Sequence, residues 1–172
     1  MPRPGHGAAF EPRRREIIDQ AAALFARRGC AATGITEICE AVGVARGALY
    51  YYVGSKEQLL VEIQSAVLTP LLESARRILA LDASPPVRRR LLSEVLLDII
   101  VRRLDHIWVY EHDYRQLSPE NRGKVVAQRR EFEQIIVALL KAAVDEGQFE
   151  DLDLQFEMLQ FLNLHKPHMS VG

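Results

Sequence analysis

An all-α fold, with a small three-helix head followed by a larger helical body, is what this 172-residue sequence predicts. Apolar residues recur at helical rather than alternating intervals along nearly the whole chain, and no run of β-branched residues reads as a strand. Glycines and prolines fall where the periodic stretches must start or stop.

Residues 1–11 read as a flexible N-terminal arm. Residues 12–28 place Ile17, Ala21, Leu24 and Phe25 at i, i+4, i+7 and i+8, one apolar face, and Gly29 follows where a left-handed residue belongs. A short second helix covers 34–41, with Ile35 and Ile38 three apart. Val42-Gly43-Val44 then supplies a turn in which Gly43 can take positive φ, and 45–52 form a third short helix. Ser55 to Gln58 fits a capping box: the Ser55 hydroxyl accepts from the N3 amide while the Gln58 side chain reaches back. The helix it opens runs from Lys56 to about Leu81, with Pro70 predicting a kink or a break near Thr69.

Ala83-Ser84-Pro85-Pro86 is a connector, followed by a helix over 86–103 and a shorter aromatic-rich segment from His106 to Gln116. Ser118 caps, and Pro119 takes the first position of, the strongest helix of the chain, 119–146, which Gly147 ends. A last helix begins near Leu152 and must stop at Pro167. Leu152, Leu154, Phe156, Met158, Leu159, Phe161, Leu162 and Leu164 leave it apolar on nearly every face, so it must be buried. Either it pairs with a partner chain in a shortened interface, or the chain is truncated and the segment is a sticky surface. The expected domains are 12–55 and 56–172.

Composition narrows the function. Nearly half the residues are apolar, enough for a sizeable core, yet no run approaches the roughly 18 apolar residues of a membrane helix. The N-terminus has basic residues without an apolar stretch behind them, so it is not a secretory signal, and a soluble cytoplasmic protein without membrane partner is expected. Cys30 and Cys39 are then two reduced thiols, with a redox pair as the alternative. Net charge is −1, but eight basic residues between Met1 and Lys56 outnumber five acidic ones, and the remainder is acidic. A basic head on an acidic body suits a head that meets phosphates.

Two short helices joined by a glycine turn and packed on a longer first helix describe a helix-turn-helix. Ile35, Ile38, Val44 and Leu49 would build its core. Tyr50, Tyr51 and Tyr52 are consecutive, and helix neighbours point about 100° apart, so at least one ring faces outward. Beside Arg46 and Lys56 such a ring offers a donor to a phosphate backbone; otherwise the rings cap the core. Arg13, Arg14 and Arg15 fall in the first turn of their helix, where the dipole disfavours cations. A nearby polyanion would offset this, although a solvated face is the commoner reason for such a run.

The run from Gly43 through Val44-Ala45-Arg46-Gly47-Ala48-Leu49-Tyr50-Tyr51-Tyr52-Val53-Gly54-Ser55-Lys56-Glu57-Gln58 to Leu60 resembles the DNA-binding signature of the TetR family of repressors, and the upstream Ala22, Leu24, Phe25, Gly29, Thr33 and Ile38 agree with it. The resemblance implies a TetR-like fold and a homodimer whose third helices enter successive major grooves of a palindromic double-stranded operator. It places Arg46, Gly47, Ala48, Tyr50 and Tyr51 at the DNA, with Thr33, Thr36 and Lys56 on phosphates. Arg46 is the candidate base reader, because its fork can take O6 and N7 of a guanine together. Three positions depart from the pattern: Ala45 where Ser or Thr usually caps the recognition helix, Val53 for a Phe, and Cys39 for an Ala.

By the same resemblance the body is a ligand-binding and dimerisation domain. Val109-Tyr110-Glu111-His112-Asp113, Asn121-Arg122, Arg129-Arg130 and Glu146-Gly147-Gln148-Phe149 are similar to the branch answering fatty-acyl or steroid-derived CoA thioesters. Leu96, Ile100, Trp108, Tyr110, Phe132 and Ile136 would line a tunnel for the acyl chain, and Arg129 and Arg130 would meet ligand phosphates; equally, the former are ordinary core and the latter a solvated face. His106 and His112 lie six apart, off any shared helical face, so no metal is expected. The chain holds no P-loop, dinucleotide fingerprint or nucleophile elbow, so neither cofactor nor enzymatic activity is expected. A helical carrier or interaction protein that no longer binds DNA is the competing reading.

Overall fold

The computed structural model describes residues 7–147, 157, 158 and 160–162. Within them every element is helical: α1 (Gly7–Arg28), α2 (Ile35–Val42), α3 (Arg46–Val53), α4 (Lys56–Leu79), α5 (Pro85–Arg102), α6 (Leu104–His112), a 3-10 turn (Tyr114–Gln116) and α7 (Pro119–Asp145). The chain divides into two compact units, one holding the residues through Val67 together with Asp105–Gly123, the other Leu68–Leu104 together with the residues from Lys124 onward.

In the first unit α1 starts earlier than its periodicity predicts, so residues 7–11, expected in the arm, are helical and Pro12 lies inside the helix. Near the amino end a proline removes one backbone bond, and the ring of Phe10, packed against α3, ties this extra turn down. The expected apolar face is real: Ile17, Ala21, Leu24 and Phe25 are all buried. Gly29 takes φ 81° and its N–H reaches the Phe25 carbonyl at 2.7 Å. The small core differs in part from expectation. Ile38 and Leu49 are buried, but their companions are Val42 and Val53, while Ile35 and Val44 are only half-buried.

Arg13 and Arg14 are neither a solvated face nor a first-turn misfit, while Arg15 is exposed. Because α1 begins at Gly7, Arg13 and Arg14 lie beyond its first turn. Arg13 Nη2 donates to the Val42 carbonyl at 2.9 Å and Arg14 Nε to the Tyr52 carbonyl at 3.1 Å. Two cations thus satisfy carbonyls at the carboxyl ends of α2 and α3, where the helix dipole favours them. Arg14 also pairs with Glu62 of α4 at 2.8 Å.

The opening of α4 keeps half of the predicted box. The Gln58 amide donates to Ser55 Oγ at 3.0 Å, but the Gln58 side chain turns forward to Glu62 at 2.9 Å. The helix runs unbroken past Pro70. That residue is exposed, so water can meet the carbonyl its missing N–H leaves unpaired. Glu57 of α4 accepts from the Ser118 amide at 2.9 Å and from Asn121 Nδ2 at 2.8 Å. Asp113 accepts the Cys30 amide at 2.9 Å. Both cysteines are free thiols. Burial pushes the Cys30 thiol up to about 11.

In the second unit α5 and α7 begin and end within a residue of their predicted bounds. Gly147, at φ 74°, follows α7. Of the last predicted helix only 157, 158 and 160–162 are described, with Met158 and Phe161 buried and Gln160 exposed. The rest of that helix, its stop at Pro167 and the first six residues of the arm lie outside the described residues.

Candidate nucleic-acid interface

The turn between α2 and α3 is built from backbone alone. Gly43 takes φ 65°, the Val44 amide bonds the Cys39 carbonyl at 3.0 Å, and the Gly43 amide bonds that of Glu40 at 3.3 Å. These paired bonds form a Schellman closure, which needs the left-handed residue and fixes the angle at which α3 leaves. At the other end of α2 the Glu37 carboxylate accepts the Gly34 amide at 2.8 Å and pairs with Arg28 of α1. Ala45 occupies the N-cap of α3 and supplies no side-chain bond, as its methyl dictates. Gly54, at φ 73°, closes α3.

The outer surface of α3 carries the charge and the rings. Arg46 is fully exposed and lies one turn from Tyr50, with Nη2 3.4 Å from the phenol oxygen and its guanidinium carbon 5.8 Å from the ring centre. That hydrogen bond raises the Arg46 pKa further, so the group is cationic at any working pH. Tyr51 is 61% exposed and Tyr50 38%. Gly47 is exposed, and a Cβ placed there would meet no atom within 4 Å. Ala48 and Lys56 are half-buried. Thr36 is exposed and shares a shallow hollow with Arg46, Cys39 and Gly43. Thr33 is different. It is 1% exposed and its hydroxyl donates to the Gly29 carbonyl at 2.8 Å, so it braces the end of α1.

Phe10 is the residue the sequence reading missed. Its ring stacks on Tyr52 with centroids 5.1 Å apart and meets Tyr51 edge-on at 5.4 Å, while Tyr51 and Tyr52 are themselves edge-to-face at 5.4 Å. Phe10 and Tyr52 together brace the exposed Tyr51. The available signal was an aromatic just ahead of the periodic stretch, which the assignment of residues 1–11 to an arm set aside.

The predicted ligand residues are dispersed. Trp108 and Tyr110 belong to the first unit, and Leu96, Ile100, Arg129, Arg130, Phe132 and Ile136 to the second. Leu96, Phe132 and Ile136 are buried, Ile100 and Arg129 half-buried, Arg130 exposed. Of the eight, Ile136 alone lines an apolar cavity of about 170 Å³ between α5, α7 and Phe161. Trp108 stacks on His112 at 3.9 Å, and buried His106 sets Nε2 3.1 Å from Asp19 of α1. Among the described residues no three His, Cys, Asp or Glu side chains are grouped to hold a metal. No described helix is long and apolar enough to cross a membrane.

A closed turn that fixes one short helix on another, with a cation, a bare glycine and tyrosines on the outer surface of the second, is a helix-turn-helix DNA-binding head. Family models agree on both parts of the chain. Residues 17–63 match the bacterial regulatory proteins of the tetR family, and 82–166 match the tetracyclin repressor-like C-terminal domain. The chain belongs to the TetR family of transcriptional regulators, which are not enzymes. It is 30% identical over 152 residues to the HTH-type transcriptional repressor KstR2 of Rhodococcus jostii, covering 86% of this chain and 74% of that one. The solved ketosteroid transcriptional regulator KstR2 of Mycobacterium tuberculosis superposes with a TM-score of 0.82 at 26% identity, covering 89% of this chain and 79% of the other. AibR in complex with isovaleryl coenzyme A and operator DNA shares the fold, with a TM-score of 0.78 at 23% identity over 93% of this chain and 89% of its own. Regulators of this family bind operator DNA and dimerise.

Proposed function

We propose that this regulator represses transcription in the cytoplasm by occupying a palindromic operator as a homodimer, and that a small effector, an acyl-CoA thioester of fatty-acid or steroid origin, releases it. The observation that carries the DNA half is the exposed Arg46–Tyr50–Tyr51 surface of α3, which presents a guanidinium fork and phenol donors on a helix its turn holds rigid. In the bound state Arg46 meets a base edge, Tyr51, Thr36 and Lys56 meet phosphates, and Gly47 and Ala48 let the helix backbone sit close. The effector half is supported by the repressor KstR2 as a relative and by the CoA thioester in the AibR complex. Ligand binding would act by favouring a spacing of the two heads that no longer matches successive major grooves.

The test is selection of bound sequences from random duplexes, repeated with and without fatty-acyl and steroid-acyl CoA. Enrichment of a palindrome whose half-sites lie about one helical turn apart is expected, with binding that weakens steeply as salt rises. Arg46→Ala should cost about 1–3 kcal/mol and relax discrimination at one base pair per half-site. A helical carrier without DNA function would enrich nothing. Operator binding indifferent to every thioester would remove the effector half and leave the rest standing.

A further inference from the structure

Two consecutive residues of α1 reach both helices of the helix-turn-helix. Arg13 Nη2 donates to the Val42 carbonyl at the end of α2, and Arg14 Nε to the Tyr52 carbonyl in the last turn of α3. Each guanidinium turns another nitrogen to a carboxylate. Arg13 Nη1 meets Glu16 of α1 at 2.6 Å, and Arg14 Nη2 meets Glu62 of α4 at 2.8 Å. The side chains of Arg14 and Glu62 are only 23% and 25% exposed. Both cations are thus spent inside the first unit, whereas Arg46 is fully exposed.

α3 needs such a hold. It has eight residues, and Ala45 gives its amino end no side-chain cap. A helix this short makes few bonds of its own, so its direction is set by what it is tied to. Tyr51, exposed on α3, directly precedes the residue whose carbonyl Arg14 holds. Because the two arginines are neighbours on one helix, they also fix the carboxyl ends of α2 and α3 relative to each other. We propose that Arg13 and Arg14 are positioning residues for operator binding, which hold the outer surface of α3 at the angle a major groove requires, and that neither meets a phosphate. Lysine is a poor substitute, since one ammonium lacks the planar fork that spans a carbonyl and a carboxylate together. This inference rests on the reading of α3 as the helix that meets the operator, and adds to it two residues that act through α1.

Fluorescence anisotropy of the full chain tests it, on the palindrome enriched by selection and on a scrambled duplex of equal length, across a range of salt. Arg14→Lys keeps the charge and loses the fork. It should weaken binding to the palindrome about tenfold or more, the worth of a hydrogen bond from a charged donor, and leave the scrambled duplex bound as by the parent. Arg13→Lys should do the same, and it carries the test if circular dichroism shows Arg14→Lys to be unfolded. In Arg13→Gln and Arg14→Gln the slope of log affinity against log salt should stay at the parent's value, whereas a lost phosphate contact lowers it by about one. Glu62→Gln removes the ion pair with α4 but neither carbonyl bond, so it gauges what lowered stability alone costs. Parental affinity for the palindrome in both lysine variants, a slope reduced by about one in either glutamine variant, or a loss equal on both duplexes and no greater than that of Glu62→Gln would each overturn the proposal. A parent that enriches no palindrome would instead fail the operator reading itself, and this proposal with it.

Discussion

Gly47 illustrates a residue whose folded-state cost is not explained by its own chain. It sits in the first turn of α3 with ordinary helical φ, and nothing nearby would obstruct a methyl group. Alanine is the better helix former by up to about 1 kcal/mol. Gly47→Ala should therefore raise thermal stability while weakening operator affinity, because in the proposed complex the added methyl stands where the groove wall approaches. A variant both more stable and equally tight would remove Gly47 from the interface. Phe10 acts at the same scale through a neighbour. Phe10→Leu preserves bulk but not the edge-to-face contact with Tyr51, an aromatic pairing of about 0.5–1.5 kcal/mol. Operator binding should fall several-fold in Phe10→Leu and recover in Phe10→Trp, read by gel shift or fluorescence anisotropy at fixed salt.

At the scale of elements, α3 and α4 depend on what closes their amino ends. α3 lacks a side-chain cap because Ala45 has no oxygen, whereas Ser55 caps α4. Ala45→Ser should stabilise the protein by about 1 kcal/mol in denaturant unfolding. An unchanged midpoint would mean the serine hydroxyl does not reach the first-turn amides. Glu57, in the first turn of α4, takes hydrogen bonds from Ser118 and Asn121 that hold its carboxyl below the usual carboxylate range. A carboxyl with a depressed folded-state pKa contributes stability that is complete above its unfolded value and fades as pH falls through the folded one. Glu57→Gln should accordingly lose stability at neutral pH and show a shallower decline than the parent between about pH 5 and the acid limit. Parallel unfolding curves for parent and variant across that range would deny Glu57 this role.

For the whole molecule, the family fixes DNA binding and dimerisation as the working state. Sedimentation at micromolar concentration should return a dimer, and an exclusively monomeric species would contradict it. In the proposed complex each operator half-site is held by its own α3, so Arg46→Ala acts twice per complex, and the effect on dimer binding should be about double, in free energy, that on an isolated half-site.

The sequence by itself determined the helical class, the order of the described elements and most of their bounds, the start of α1 and the limits of α6 excepted, because apolar spacing and Gly or Pro punctuation are local signals. It also marked the turn at Gly43 and the outward cation at Arg46, since both follow from one helix and its neighbours. Tertiary structure alone decided which side chains look inward. Thr33 lies beside exposed Thr36 in the chain yet is turned to the Gly29 carbonyl, and the arginine run reads as a charge patch until Arg13 and Arg14 are seen closing the ends of α2 and α3. The partners of Phe10 lie some forty residues away, and the apolar cavity shares only Ile136 with the ligand residues that the family resemblance implies. The physical reason is the same in each case. Periodicity tells which face of a helix is buried, whereas the partner across that face is set by packing between segments distant in the chain.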